Sequence, residues 1–394
     1  MHDQVWSRRV ATTTSSTHRS TASPPRAPGR RPRAGGALAA AATAALVLGG
    51  APAASAEGAP PTAVGGTLPT TVVVDGLAGP LSLDVTPRGD VLVAQSDAGA
   101  LTRADRRGGR TDLVRLPGTE VAGVSAASAS GVLYTHSQGE GPDAVALLER
   151  VTRRGRTEVV ADLGAHERSV NPDGATTYGN PDLPQDCRDQ LPEWFPASYP
   201  GEVFSHPYAT AHLPGGRTVV ADAGANALLS VDARGRVRTM AVLPAQPVVL
   251  ELEVVEEYGL PECLVGETFL FEAVPTDVEV GPDGAVYASL LPGGPEDPSA
   301  GPRGSVVRVD PRTGAVETVL TGLLGATGVA VDDSGTVYAA ELFGGRVVAR
   351  DRGATTSRTV LEADSPAAVE VAGGDLYVTT QVFGPDGQVL RLRL

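Results

Sequence analysis

The 394-residue sequence predicts an all-β fold: a six-bladed β-propeller with an N-terminal strand closing the last blade. Three observations carry this. Residues 274–320 hold four short apolar or alternating stretches (276–280, 285–289, 305–309 and 316–320) and two tight turns, Gly281-Pro282-Asp283-Gly284 and Pro311-Arg312-Thr313-Gly314. A four-stranded sheet of this kind has two apolar faces and buries neither alone, so copies must stack on both sides of it. Turn glycines then recur at Gly89, Gly131, Gly216, Gly284, Gly335 and Gly374, marking six units. Finally, residues 70–77 (TTVVVDGL) match the fourth strand of the unit at 317–323, whereas residues 366–394 supply three strands and stop. Together the two ends complete one blade and leave no open edge.

Taken in order, residues 1–56 differ from the rest: Thr, Ser, Pro and Arg up to Arg33, an Ala/Gly/Leu run over 37–50, then Ala54-Ser55-Ala56. This pattern predicts a secretory signal peptide cleaved after Ala56. The apolar run is too short to span a bilayer, which needs about 20 residues. No Cys follows it for a lipid anchor, and no late apolar tail offers another, so the mature chain is expected to be extracellular, free of the membrane and monomeric. Arg30-Arg31 leaves the choice between the general and the twin-arginine export route open. Residues 57–69 read as a flexible lead-in.

The chain carries 32 basic and 46 acidic residues; removing the leader's seven arginines and one acid leaves 25 and 45, a net charge of −20. Such a surface repels phosphate backbones and anionic headgroups, which argues against nucleic-acid and membrane partners. There is no lysine anywhere, so Schiff-base chemistry and a P-loop are excluded.

Spacings between the marker glycines are 42, 85, 68, 51 and 39 residues, so two intervals carry large insertions. The 85-residue interval has room for a seventh blade, but residues 165–207 place Pro, Asp, Cys and Trp where strand alternation should run. In an antiparallel blade with strands a to d, the a–b and c–d turns share one face of the ring and the b–c loops and d–a crossovers the other. The first set is short, as at 86–90 and 281–284. The second holds every irregular segment: 136–142, 161–207, 244–273, 291–304 and 383–387. Function is expected on that decorated face, with cap insertions at about 161–207 and 244–273.

Cys187 and Cys263 both fall in these insertions, in adjacent crossovers; an even count in an exported chain predicts a disulfide stapling the cap. The strand after each marker glycine is read as the inner strand of its blade, and polar groups at its end are expected to converge on the channel: Gln95 and Asp97, Gln138, Asp222 and Asn226, Glu341, and Gln381. Among them Asp222, Asn226 and Glu341 are oxygen donors suited to a Ca²⁺-type cation, with a solvated, self-capped rim as the alternative. Of the mature histidines, His136 and His206 lie at strand ends near the channel mouth, with Tyr208 beside the latter; His166 sits in the insertion and His212 within a strand. None shows a metal-ligand spacing, and no GxSxG elbow, dinucleotide fingerprint or EF-hand loop occurs. Asp332-Asp333-Ser334-Gly335 reads as a turn on the plain face.

Asn171-Pro172-Asp173-Gly174, Ser205-His206-Pro207-Tyr208, the stretch 219–237 containing ADAGANALL, and VPTDVEVGPDGAVY at 274–287 together resemble the ScyD/ScyE family of exported propellers, common in actinobacteria. The PDG turns are shared more widely with NHL-like and gluconolactonase-like propellers. The resemblance spans nearly all of the mature chain and implies the propeller fold and export. It implies no established reaction, and the Cys-bearing insertion after Gly174 departs from the family pattern.

Two functional readings follow. In the first, the protein is a secreted, non-catalytic binding module for a small molecule, glycan or protein, with a channel-mouth site built from His136, His206, Tyr208, Asp222, Asn226, Glu341 and Gln381. In the second, it is a metal-dependent hydrolase or lyase of the gluconolactonase or streptogramin-lyase type, with Asp222, Asn226 and Glu341 holding the cation and His206 or His136 as base.

Overall fold

The computed structural model describes residues 69–127, 131–295 and 300–394; the predicted leader and nearly all of the lead-in lie outside them. Strand β1 (Thr70–Leu77) precedes blade 1, which is β2–β5 (Pro80–Val85, Val91–Gln95, Ala100–Ala104, Arg110–Arg115). Blade 2 is β6–β9 (Glu120–Ala127, Gly131–Gln138, Val145–Val151, Thr157–Asp162). The crossover that follows carries helix α1 (Leu163–Val170), β10 (Thr177–Gly179), α2 (Gln185–Arg188) and β11 (Ser198–Pro200). Blade 3 is β12–β15 (Pro207–Leu213, Arg217–Asp222, Ala227–Val231, Val237–Val242), and its exit crossover carries β16 (Gln246–Val249), α3 (Leu252–Glu257) and β17 (Thr268–Phe271). Blades 4 and 5 are β18–β21 (Pro275–Val280, Val286–Leu290, Gly304–Val309, Val316–Leu323) and β22–β25 (Ala326–Val331, Val337–Glu341, Arg346–Arg350, Arg358–Glu362). Blade 6 takes β26–β28 (Val369–Ala372, Asp375–Thr380, Gly387–Arg393) and completes itself with β1, which pairs antiparallel to β28 from Thr70↔Leu392 to Leu77↔Gly387.

Six of the seven four-stranded sheets form the ring. The first strands pack on one another in a closed cycle, β2 to β6, β12, β18, β22, β26 and back to β2. This corrects one expectation: the strand lining the channel is the first of each blade, not the second. The second strands lie one step out and read as continuous apolar runs because both their faces are covered; β3, β19 and β23 are buried at every position. The core is therefore inter-blade. Leu77 of β1, fully buried, packs with Val389 of β28 and with Leu83 and Val93 of blade 1, so the closing strand brings burial worth roughly 1.5–3 kcal/mol from that one side chain.

Polar clips register the blades around the channel. The Ala126 N–H of blade 2 donates to Asp84 Oδ2 of blade 1 (2.6 Å), Ser125 meets Thr210 of blade 3 (2.7 Å), the Val329 N–H of blade 5 donates to Asp277 Oδ2 of blade 4 (2.9 Å), and Thr327 Oγ1 donates to the Ala367 carbonyl of blade 6 (3.0 Å). At Gly89, Gly284 and Gly335 the marker turn closes as predicted, the glycine N–H donating to the carbonyl three residues earlier (2.7, 2.9 and 2.9 Å). At Gly131 (φ 127°) a Cβ would stand 2.0 Å from the Val151 carbonyl oxygen, so no other residue fits.

The seventh sheet, ordered β11-β10-β17-β16, is not a blade. It is assembled from the two long crossovers and caps the decorated face. Its own core contains Phe195, Leu250, Val254, Leu264, Phe269 and the buried Cys187. Cys187 and Cys263 form the predicted disulfide, with Cα atoms 5.8 Å apart, tying α2 to the turn after α3. Helix α1 starts on Asp162, whose carboxylate accepts the Ala165 N–H (2.7 Å), and stops at Asn171 in the left-handed region (φ 42°), ahead of Pro172. Among the described residues no helix is long and apolar enough to cross a membrane.

Candidate functional site

A cleft of about 1360 Å³, counting the solvent at its mouth, lies between the cap and the ring. Its floor comes from the second residues of channel-lining strands, Leu81, Tyr208, Thr276 and Thr327, together with Ala367. Leu81, Tyr208, Thr276 and Thr327 are each the extra, unpaired residue of a bulge shared by blades 1, 3, 4 and 5. The walls come from the cap: Tyr178 of β10, Tyr199 and Pro200 of β11, and Phe271 of β17, with Phe195 and Phe204 from the connecting segments. Gly224, Gly293 and Gly294 complete the rim, and Gly224 is required because a Cβ there would lie 2.6 Å from the Phe204 ring.

The polar groups form three arrangements. In the first, Tyr178 donates its hydroxyl to Asp173 Oδ2 (2.8 Å), which also accepts from Asn226 Nδ2 (2.9 Å). In the second, Tyr199 donates to Glu272 Oε1 (2.7 Å), and the two tyrosine rings lie 5.7 Å apart. Burial raises both carboxyls above their usual range, the Asp173 shift being moderated by Asn226 and Tyr178, and each of the two tyrosine hydroxyls is pushed up by burial and by the carboxylate beside it. In the third, His206, 5% exposed and 4.5 Å from the Tyr208 ring, has Nε2 against Glu120 Oε2 (2.5 Å). Burial opposes charge on His206, but the adjacent Glu120 carboxylate prevails and raises its pKa; Glu120 is held low by His206 despite its own burial. Each therefore favours the charged form of the other.

Behind the cleft, Glu167 of α1 is 2% exposed, and neither of its carboxylate oxygens has a side-chain partner. Burial, with Asp222 and Asp173 nearby, pushes it up to about 8, so it is a neutral acid at pH 7. Asp173 Oδ1 and His206 Nδ1 are likewise buried without a partner among the described residues.

Of the seven residues expected at the channel mouth, His206, Tyr208 and Asn226 line the cleft. The other four lie elsewhere. Asp222 is fully buried beneath His206, accepting from Ser205 Oγ (2.6 Å) and the His206 and Ala225 N–H groups. Glu341 accepts the Leu324 N–H (2.9 Å) and the Arg346 guanidinium (2.8 Å). Gln95 does the same job in blade 1, accepting the Ala78 N–H (2.8 Å). All three end a second strand and clasp the crossover that enters their own blade, which is why such polar residues recur there. His136 pairs with Glu149 (2.7 Å) and stacks on Tyr134, and Gln381 occupies an exposed left-handed turn (φ 53°).

The proposed cation ligands do not fit as a set. Asp222 and Glu341 belong to blades 3 and 5 with their oxygens engaged as above, and Asn226 donates to Asp173 and accepts the Val274 N–H (3.0 Å). Among the described residues, no group of three or more His, Cys, Asp or Glu is placed to hold a metal. Conversely, reading strand ends missed Tyr178, Tyr199, Phe204, Asp173, Glu272 and Glu120. A signal existed for half of them: nine of the chain's sixteen aromatic residues fall between Tyr178 and Phe271.

No family model matches the sequence, and no curated protein matches it. Solved structures do. The chain is similar to a putative oxidoreductase (glucose dehydrogenase) of Thermus thermophilus (TM-score 0.50, 17% identity, covering 82% of this chain and 99% of that one) and to a gluconolactonase of Xanthomonas campestris (0.50, 12%, 82% and 89%). It is also similar to virginiamycin B lyase from Staphylococcus aureus (0.47, 13%, 83% and 99%). At such identities the likeness shows the propeller fold alone.

Proposed function

We propose that the protein is an exported, non-catalytic binding module that takes a small molecule in the cleft between cap and ring. The observation carrying this reading is the cleft itself: a concave, aromatic-walled cavity with a few convergent polar groups, built on a rigid ring and closed by a disulfide-tied cap. The Cys187–Cys263 bond is compatible with an oxidising compartment, in line with the leader read from residues 1–56. The likeness of residues 171–174, 205–208 and 219–237 to ScyD/ScyE propellers belongs to the same proposal. Other partners, a glycan or a protein, would have to enter the same mouth.

The test is a thermal-shift screen of small molecules, with every hit repeated on Leu81→Trp, which adds bulk to the cleft floor from a half-buried position. Hits should vanish in the variant while its melting temperature stays within about 2 °C of the parent. Hits that survive at unchanged stability place binding elsewhere and end the proposal.

His206 supports a second reading, acid–base catalysis on a ligand bound in the same cleft. Its ring lies against the cleft with Nδ1 unpaired and Nε2 held by Glu120, the arrangement of a positioned proton donor. In that reading His206→Gln would abolish turnover of a bound ligand yet preserve its binding. Mass analysis of ligand recovered from the protein distinguishes the two.

A further inference from the structure

We infer that the ligand of this cleft is an organic cation, an alkyl- or aryl-ammonium. This rests on the binding reading above and adds the chemical class. The argument begins with charge. Two carboxyl groups, Asp173 and Glu272, stand in one aromatic wall close enough for the charge of one to disfavour that of the other, and among the described residues no lysine or arginine lines the cleft. The nearest positive groups are committed: His206 to Glu120, and Arg303 to the carbonyls of Gly293 (2.8 Å) and Pro295 (2.6 Å) from a position 5.9 Å off the Phe271 ring. Asp222 and Glu167 behind the wall add no positive charge, and Glu202 on the rim adds a further acid. Negative charge in a poorly solvated wall is costly when unpaired, so the wall is preorganised for a cation.

The donors point the same way. Asp173 is 1% exposed and its Oδ1 has no partner among the described residues; Glu272 accepts Tyr199 on Oε1, and its Oε2 faces Gly293, where a Cβ would stand 2.6 Å away. A glycine at that point makes room for the carboxylate itself, which stays half-buried at the rim of the cleft. Each acid takes its hydroxyl from a tyrosine whose ring also faces the cleft. Donating to a carboxylate makes the phenol ring richer in electrons, which strengthens its hold on a cation over its face. Aromatic rings beside carboxyl groups, without lysine or arginine, are the chemistry that recognises ammonium groups, and an anionic ligand would meet those two carboxyls in the wall.

The test compares choline with its uncharged isostere 3,3-dimethylbutan-1-ol, benzyltrimethylammonium with benzyl alcohol, and cellobiose as a neutral glycan, by calorimetry on the full protein. We expect the cations to bind at least 10-fold more tightly than the uncharged partners. Glu272→Gln should remove that preference. Because burial raises Asp173 and Glu272, cation affinity should fall as the pH is lowered and they take up protons. Equal affinity for choline and its isostere, or a preference for cellobiose, overturns the cation inference and leaves the binding reading standing. If nothing binds, or if Leu81→Trp leaves choline binding intact, both fall.

Discussion

The ring and the cap use opposite means to hold together. The ring is repetitive: each blade buries alternating Val, Ala and Leu against its neighbours, and its polar contacts are short clips from a backbone N–H of one blade to a side chain of the next. The cap has no repeat. It gathers short strands from two separate crossovers, packs them on a cluster of aromatics and aliphatics, and fastens them covalently. Stability can be distributed over six similar junctions, whereas specificity requires a surface that no other blade duplicates. The difference teaches that in this molecule the repeats position the site and the interruptions compose it.

The largest effect should come from breaking the ring. Deleting Thr70–Leu77 leaves blade 6 with three strands, removes buried Leu77, and exposes the β28 edge. Cooperative thermal unfolding should be lost, or the protein should aggregate; a truncated protein melting within a degree or two of the parent would refute the closure. Next comes the cap. Cys187→Ser with Cys263→Ser removes a crosslink spanning 76 residues, an effect of roughly 2–4 kcal/mol that should fall on the cap and spare the ring. Limited proteolysis should then cut within residues 163–206 while far-UV circular dichroism stays near that of the parent.

A third test separates the regions by pH. In the channel, burial raises Asp84, burial and neighbouring acids raise Glu279 (to about 8) and Glu370, and Asp277 stands at about 7; behind the cleft, Glu167 stands at about 8. Ordinary carboxyls in an unfolded chain ionise near pH 4. Between about pH 4 and 8 the native state therefore holds more protons than the unfolded one, and stability falls as pH rises through that window. Denaturant midpoints should decrease from pH 5.5 to pH 8.5, and Glu279→Gln should flatten the trend. A midpoint that climbs with pH would contradict the placement of these acids. The smallest effect is expected on the plain face. Asp333→Ala and Arg312→Ala should change stability by no more than about 0.5 kcal/mol, since Arg312 is a largely exposed turn residue 3.8 Å from Asp310. Asp283 would be a poorer control, because it accepts from the Ala285 N–H (3.1 Å) and from Arg308 (2.8 Å).

The sequence makes the ring legible because each blade repeats one physical problem, and solving it once at 274–320 solves it six times. Closure by Thr70–Leu77 and the Cys187–Cys263 bond were readable for the same reason, each being a mismatch with a single complement. The cleft was only partly readable. Asp222 and Glu341 carry the residue types of a site and the positions of a site, yet they clasp crossover backbones, a role that repeats in Gln95 and so betrays structure. Tyr199 and Glu272 lie 73 residues apart in two insertions without periodicity, and only the three-dimensional pairing of β10 with β17 brings their strands into one sheet. Local pattern carries no information about such a meeting.

The clasp between β1 and β28 also dictates a timetable. Leu77 finds its partner Gly387 only after 310 further residues have been made, so during synthesis the first strand waits, unpaired, for the last. Five blades have all their own strands before that moment, and the sixth cannot form without both ends. Such long-range pairing is entropically slow, and it makes ring formation a single late event. A chain halted before residue 387 would hold an array with two unsealed flanks and an exposed apolar first strand, the state a quality-control protease is suited to find.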